Sequence, residues 1–205
     1  MIGIINYGSG NVQAIANIYN RTNFQYKIIQ DPEQLKNVDK LILPGVGDFD
    51  ETIKVLDSSG LRNALNEEVL VKKKPVLGIC VGMQILASIG YEDGINQGLN
   101  WFNGEIRKIN DTNLKIKTPQ MGWNNVCIKE NKHPLLENIN NEEHFYFANS
   151  YHFIGEENAV LGYCEYGVKI ASIIAKNNIF ATQFHPEKSQ ENGIKLLSNF
   201  LNWNL

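Results

Sequence analysis

Cysteine is scarce and scattered. The chain holds three, Cys80, Cys127 and Cys164, an odd number with no C-x-x-C pair. Neither a disulfide framework nor a zinc knuckle is indicated, and no metal ligand set stands out. Basic charge is equally thin: 19 lysines and arginines face 22 acidic residues, for a net charge of −3. The one basic cluster, Lys72-Lys73-Lys74, is too small to form a nucleic-acid surface. It suits the C-terminal end of a helix over Leu61–Val71, where cations meet the dipole. No apolar run approaches the length of a membrane span. The opening residues MIGIINYGSG lack the layout of a signal peptide. Repeats, linkers and low-complexity tracts are missing too. These absences lead us to expect a cytoplasmic enzyme in a reducing compartment, one domain over residues 1–205, with no membrane or nucleic-acid partner. An apolar content of 43% is ordinary for a globular chain.

What is present centres on Pro75–Ser88, PVLGICVGMQILAS. Val76, Leu77 and Ile79 form the short apolar run of a buried strand. Gly78 and Gly82 bracket Cys80, and Met83, Ile85, Leu86 and Ala87 read as a buried helix. Strand, abrupt turn and helix with a thiol at the apex make the cysteine version of a nucleophile elbow. A helix N-terminus aimed at the sulfur favours thiolate. The competing reading of this stretch alone is an inert buried cysteine.

Around it the first half alternates strand and helix. Strands are expected at Met1–Asn6, Gln25–Gln30 and Lys40–Leu43. Helices are expected after Asn11, with Val12, Ile15, Ala16 and Tyr19 on one face, and near Phe49–Leu56 and Leu61–Val71. Asp31-Pro32-Glu33 starts a further short helix. Tyr7-Gly8-Ser9-Gly10-Asn11 invites a dinucleotide reading, but the third glycine would fall at Gln13, so a tight turn is preferred. The alternation predicts an α/β fold, a mostly parallel central sheet with helices on both faces. Sites in such sheets lie at the carboxyl ends of strands. Tyr7–Asn11, Pro44–Gly47 and Cys80 all sit there.

After about residue 100 the texture changes. Glu105–Ile109, Trp123–Lys129, Glu143–Ala148, Ala159–Glu165, Lys169–Ala175 and Asn178–Phe184 read as closely spaced strands, an antiparallel extension of the C-terminal half. A last helix is expected at Gln190–Leu201.

Of the four histidines, His133, His144 and His152 read as structural or exposed. His185 ends a strand and precedes Pro186-Glu187. The residue before proline is biased toward extended backbone, where residues two apart share a side. Glu187 can therefore orient the imidazole while its other nitrogen faces a thiol. The assembled candidates are Cys80 as nucleophile, His185 as base and Glu187 as orienter. Oxyanion donors are expected from the N–H of Val81 and one from Val46 or Gly47, each typically worth about 3 kcal/mol in the barrier.

GICVGMQ at 78–84 and QFHPEKS at 183–189 resemble the two halves of the site of the triad, or class I, glutamine amidotransferases, in that family's order. NYGSGN at 6–11, PGVG at 44–47, PQMGWN at 119–124 and GIKLLSNF at 193–200 resemble those members that serve a (β/α)8-barrel synthase. The resemblance covers essentially the whole chain. It implies a three-layer, flavodoxin-like fold and hydrolysis of L-glutamine through a glutamyl thioester, without a cofactor. It also implies that the ammonia passes to the barrel partner in a heterodimer, for histidine synthesis. By the same match, Gln84 and Glu92 would hold the glutamine, and backbone at Ser150 and Tyr151 would face its carboxylate. Asn11, Met121, Trp123, Tyr146 and Lys188 would meet the partner. The Pro44–Gly47 turn would rearrange before donating to the oxyanion. One departure is Asn149, where the family usually carries histidine. A related glutaminase serving surface-sugar amidination, a stand-alone cysteine hydrolase and a catalytically silent binding module remain the alternatives.

Overall fold

The computed structural model describes residues 1–22, 24–110, 116–129 and 133–204. Its frame is a nine-stranded sheet. The parallel part comprises β1 (Ile2–Ile5), β2 (Tyr26–Ile29), β3 (Lys40–Gly45), β4 (Val76–Cys80) and the late strand β13 (Ile179–Thr182). Beyond β13 it continues antiparallel through β12 (Val168–Lys176), β11 (Val160–Tyr166), β8 (Gln120–Ile128) and β9 (Glu143–Asn149), in the order β2-β1-β3-β4-β13-β12-β11-β8-β9. The parallel half and the antiparallel extension are both as expected.

The central strands are short continuous apolar runs, buried along their whole length, as strands covered on both faces must be. The connection from β1 to β2 runs one way along the sheet and that from β3 to β4 runs the other. Right-handed crossovers therefore send the intervening helices to opposite faces. Helix α1 (Val12–Arg21) lies on one face, burying Ile15, Ala16 and Tyr19 at the expected spacing. The last helix, α5 (Gln190–Asn202), lies beside it, and the Tyr19 hydroxyl donates to Leu197 O at 3.3 Å. On the other face lie α2 (Phe49–Ser58) and α3 (Leu61–Asn66), the latter continuing as a π-turn through Glu67–Val71. Lys72 and Lys74 do close that segment, through a shared ion pair with the buried Glu68.

One expectation fails here. The helix after Cys80, α4 (Val81–Gln84), is a single turn. Ala87–Gly90 is instead strand β5 of a second sheet, with β6 (Asn96–Gln97), β7 (Phe102–Lys108) and β10 (Tyr151–Gly155) in the order β10-β7-β5-β6. A short apolar run fits a buried strand as well as a buried helix, and the pairing of β5 with β7 decides it. Tyr151–Gly155, which carried no strand expectation, pairs antiparallel with β7.

Candidate active site

Cys80 ends β4 with φ of 54° and ψ of −113°, a backbone conformation that costs energy for any residue with a side chain. The strain holds because the elbow is wedged against β3. A β-carbon on Gly82 would collide with the carbonyl oxygen of Leu43, so only glycine lets the turn pack this closely. The elbow therefore has the expected shape, although its helix is much shorter.

The position of His185 is fixed by aromatic packing of its neighbour. Phe184 stacks on Phe145 with centroids 4.0 Å apart and meets Phe147 edge-on at 5.8 Å. Such pairs are each worth about 0.5–1.5 kcal/mol beyond area burial. His185 follows at once, and its N–H donates to Tyr146 O at 2.8 Å. The Ser189 hydroxyl donates to His185 O at 2.6 Å and accepts from Tyr146 N at 2.9 Å. Strand β9 thus clamps both ends of the His185–Ser189 segment. Pro186–Lys188 forms a 3-10 turn rather than extended backbone, since proline suits the first position of such a turn. Glu187 still reaches His185, across the turn instead of along one side of a strand.

His185 Nδ1 lies 2.8 Å from Glu187 Oε1, and both side chains are almost wholly buried. Burial alone would raise the Glu187 carboxyl, but hydrogen bonding and charge from His185, with a bond from Asn11, hold it below the usual range. An ionised carboxylate only accepts, so Nδ1 carries the proton and Nε2 is left for the thiol. For His185, burial is the largest influence and opposes protonation. The charge and hydrogen bonding of Cys80, then of Glu187, outweigh it and push the imidazole up to about 10. Cys80, His185 and Glu187 are thus brought together from residues more than a hundred positions apart. Asn11 Nδ2 donates to Glu187 Oε1 at 2.8 Å, so its amide serves the triad carboxylate directly.

In front of the sulfur is a cavity of about 200 Å³. Gly47, Asp48, Val81, Gln84, Glu92, Ser150 and Tyr151 line it, and Met121 and Asn149 stand at its wall. Every residue expected to hold glutamine is there. Glu92 also caps α2, accepting from Phe49 N at 2.8 Å. Burial, reinforced by the neighbouring Asp48 and Asp93, raises its carboxyl although the Phe49 bond opposes this. Val46 is turned away from the cavity, as a turn that must rearrange before donating would be. Its N–H donates to Ser9 Oγ at 2.9 Å, and it does not line the cavity. The expected oxyanion donor is occupied in this conformation.

Met121 stands at the cavity wall, and Trp123 of β8, Tyr146 of β9 and Lys188 of the Pro186–Lys188 turn pack together. Met121 is 68% exposed and Trp123 47%. Trp123 packs edge-on against Tyr146, and the Lys188 ammonium sits 5.6 Å from the Tyr146 ring. Burial lowers the imidazoles of both His133 and His152. No group of metal-ligating side chains occurs among the described residues, nor any helix long and apolar enough to cross a membrane.

Comparison with known proteins agrees with this geometry. Residues 3–203 match the family described as glutamine amidotransferase class-I. The chain belongs to the class I glutamine amidotransferases. Among relatives of this amidotransferase, a protein of Leptospira interrogans named imidazole glycerol phosphate synthase subunit HisH is 46% identical over 98% of both chains. Another, HisH 1 of Campylobacter jejuni strain 81-176, is 44% identical over 98% of both. Among solved structures, PurLQS from Thermotoga maritima superposes with a TM-score of 0.76 at 16% identity, covering 98% of this chain and 97% of that one. A glutamine amidotransferase from Thermotoga maritima gives 0.64 at 17%, covering 98% and 82%. At such identities the structures speak for the fold alone, the amidotransferase α/β fold.

One buried polar residue beside the sulfur escaped the sequence reading. Gln183 is fully buried, and its amide nitrogen lies 3.8 Å from Cys80 Sγ. Its place two residues before His185 was the available signal, since the strand expected over Asn178–Phe184 would put 183 and 185 on one side, although β13 ends at Thr182.

Proposed function

We propose that this chain is the glutaminase subunit of an imidazole glycerol phosphate synthase, supplying ammonia for histidine biosynthesis in the cytoplasm. The observation that carries the reading is the strained Cys80 at the floor of a carboxylate-bearing cavity, backed by His185 and Glu187. Full-length similarity to proteins named HisH directs it to that synthase. The match over residues 3–203 supports a single catalytic domain.

The chemistry follows from the residues. Asp48 and Glu92 give the cavity wall a negative character suited to the α-ammonium of glutamine. Backbone at Ser150 and Tyr151 meets the α-carboxylate. Cys80 Sγ attacks the side-chain amide carbon, and His185 hands its proton to the departing ammonia, leaving a glutamyl thioester. Water then adds, His185 takes its proton, and the C–S bond breaks to release glutamate. The Val81 N–H and the peptide at Val46–Gly47 stabilise the oxyanion. Val46 must first leave Ser9, so the isolated glutaminase turns over slowly. Met121, Trp123 and Lys188, with Tyr146 behind Trp123, are the contact face for a (β/α)8-barrel synthase partner. Asn11 links that face to the triad.

The test is a Cys80→Ala variant in complex with the barrel partner. Glutamine-driven synthesis should vanish while ammonia-driven synthesis persists. Glutamate release from glutamine by Cys80→Ala would remove Cys80 as nucleophile. A second reading, a paralogous glutaminase that feeds the amidination of surface sugars, draws on Asn149 in place of the family's histidine. Complementation of a strain lacking the histidine-pathway glutaminase decides between them.

A further inference from the structure

The side chains behind Cys80 form a directed chain of hydrogen bonds. Tyr151 O is a carbonyl and can only accept. Gln84 Nε2 donates to it at 3.0 Å, which settles the orientation of the Gln84 amide. The same nitrogen donates its second proton to Gln183 Oε1 at 3.1 Å. With its oxygen engaged there, the Gln183 amide must present nitrogen, not oxygen, to the sulfur, and Nε2 lies 3.8 Å from Cys80 Sγ. Both glutamines are buried, Gln84 to 3% exposure and Gln183 to none, so water does not compete for these bonds. Asn149 Nδ2 also donates to Tyr151 O at 3.0 Å, holding the far end of the chain.

We propose that Gln183 is a catalytic residue, its amide N–H donating to Cys80 Sγ and supporting negative charge on sulfur, and that Gln84 is the positioning residue that sets the direction of that amide. The role rests on the glutaminase reading and deepens it. The N–H favours the thiolate before attack. It favours the same charge again when the thioester opens, as the C–S electron pair returns to sulfur while His185 takes the water proton. Because the chain starts at the Tyr151 carbonyl, on the segment that meets the glutamine carboxylate, occupancy of the cavity and charge on the sulfur share one set of bonds. An amide placed the other way would aim its oxygen at the sulfur and oppose the thiolate.

The test reads the sulfur directly, without glutamine. In a Cys127→Ser background, which removes the exposed thiol, the iodoacetamide alkylation rate of Cys80 is followed against pH by peptide mass spectrometry. Gln183→Leu should move the midpoint upward by about one pH unit. Gln183→Glu should move it further. Gln84→Leu donates to neither partner, adds no charge and lets the Gln183 amide turn over, so it too should raise the midpoint. Unchanged midpoints in folded Gln183→Leu and Gln183→Glu would overturn the proposal. If both fail to fold, the Gln84→Leu profile decides: an upward shift supports the chain of bonds and no shift removes it. A wild-type chain that shows the profile yet releases no glutamate would instead overturn the glutaminase reading.

Discussion

The hydroxyl of Ser9 grips the backbone of Val46 from both ends. It accepts from Val46 N at 2.9 Å through its oxygen and donates its proton to Val46 O at 2.8 Å. The N–H that the proposed mechanism needs at the oxyanion is thereby engaged elsewhere. Ser9→Ala removes the clasp and should raise the glutaminase rate of the isolated protein roughly 3–10-fold, the worth of a typical net hydrogen bond. The partner-stimulated rate should change little. Steady-state glutamate release with and without the barrel partner measures both, and an unaltered basal rate would show that the clasp does not limit turnover.

Asn11 and His185 both hydrogen-bond to Glu187 Oε1, and Glu187 Oε2 is buried with no hydrogen-bond partner among the described residues. Asn11→Ala should lower kcat about 10-fold or more with KM near its original value. The Asn11 bond helps keep the carboxyl low. Its loss moves that carboxyl upward, so the acid limb of the kcat profile should shift to higher pH. A KM effect alone would assign Asn11 to substrate or partner binding instead.

Gly82→Ala places a methyl group against the Leu43 carbonyl. Backbone cannot rotate away as a side chain would. We expect a loss of about 3 kcal/mol or more, at the upper end for overpacking, seen as a fall in the denaturant midpoint together with loss of activity. A Gly82→Ala enzyme of ordinary stability would mean that the elbow is looser than described.

His133 packs between Phe180 and Trp203, with ring centroids 4.8 and 5.2 Å away, and its Nδ1 accepts from Leu135 N. Burial pushes its imidazole down to about 4. The sign follows from linkage: the neutral ring stabilises the fold fully above its unfolded value near 6.5, and the benefit is lost as pH falls toward 4. Discounted for partial exposure, the loss is about 1–2 kcal/mol. His133→Asn keeps an acceptor for Leu135 and should flatten stability across pH 6.5–4 relative to wild type, as read by urea melts. Parallel curves for the two proteins would exclude His133 as a source of the acid sensitivity.

Much of this protein is present in local sequence. The buried runs Ile2–Ile5, Lys40–Gly45 and Val76–Cys80, the first two followed by a helical period, carry the parallel half, because a doubly covered sheet demands continuous apolar strands. Gly78-x-Cys80-x-Gly82 announces the elbow, because only residues without side chains let a strand turn so sharply beside its neighbour. His185-Pro186-Glu187 announces its own hydrogen bond, two residues apart. Tertiary structure alone decided the rest. Ala87–Gly90 is a strand because β7 offers it a partner, whereas its apolar pattern fits either state. The grip of Ser9 on Val46 and the path from Tyr151 through Gln84 and Gln183 to the sulfur join residues 37 to 103 positions apart. Periodicity reports which side chains are buried. It does not report which buried polar group each will meet, since hydrogen-bond partners are set by where strands end, and that is fixed only when the sheets assemble.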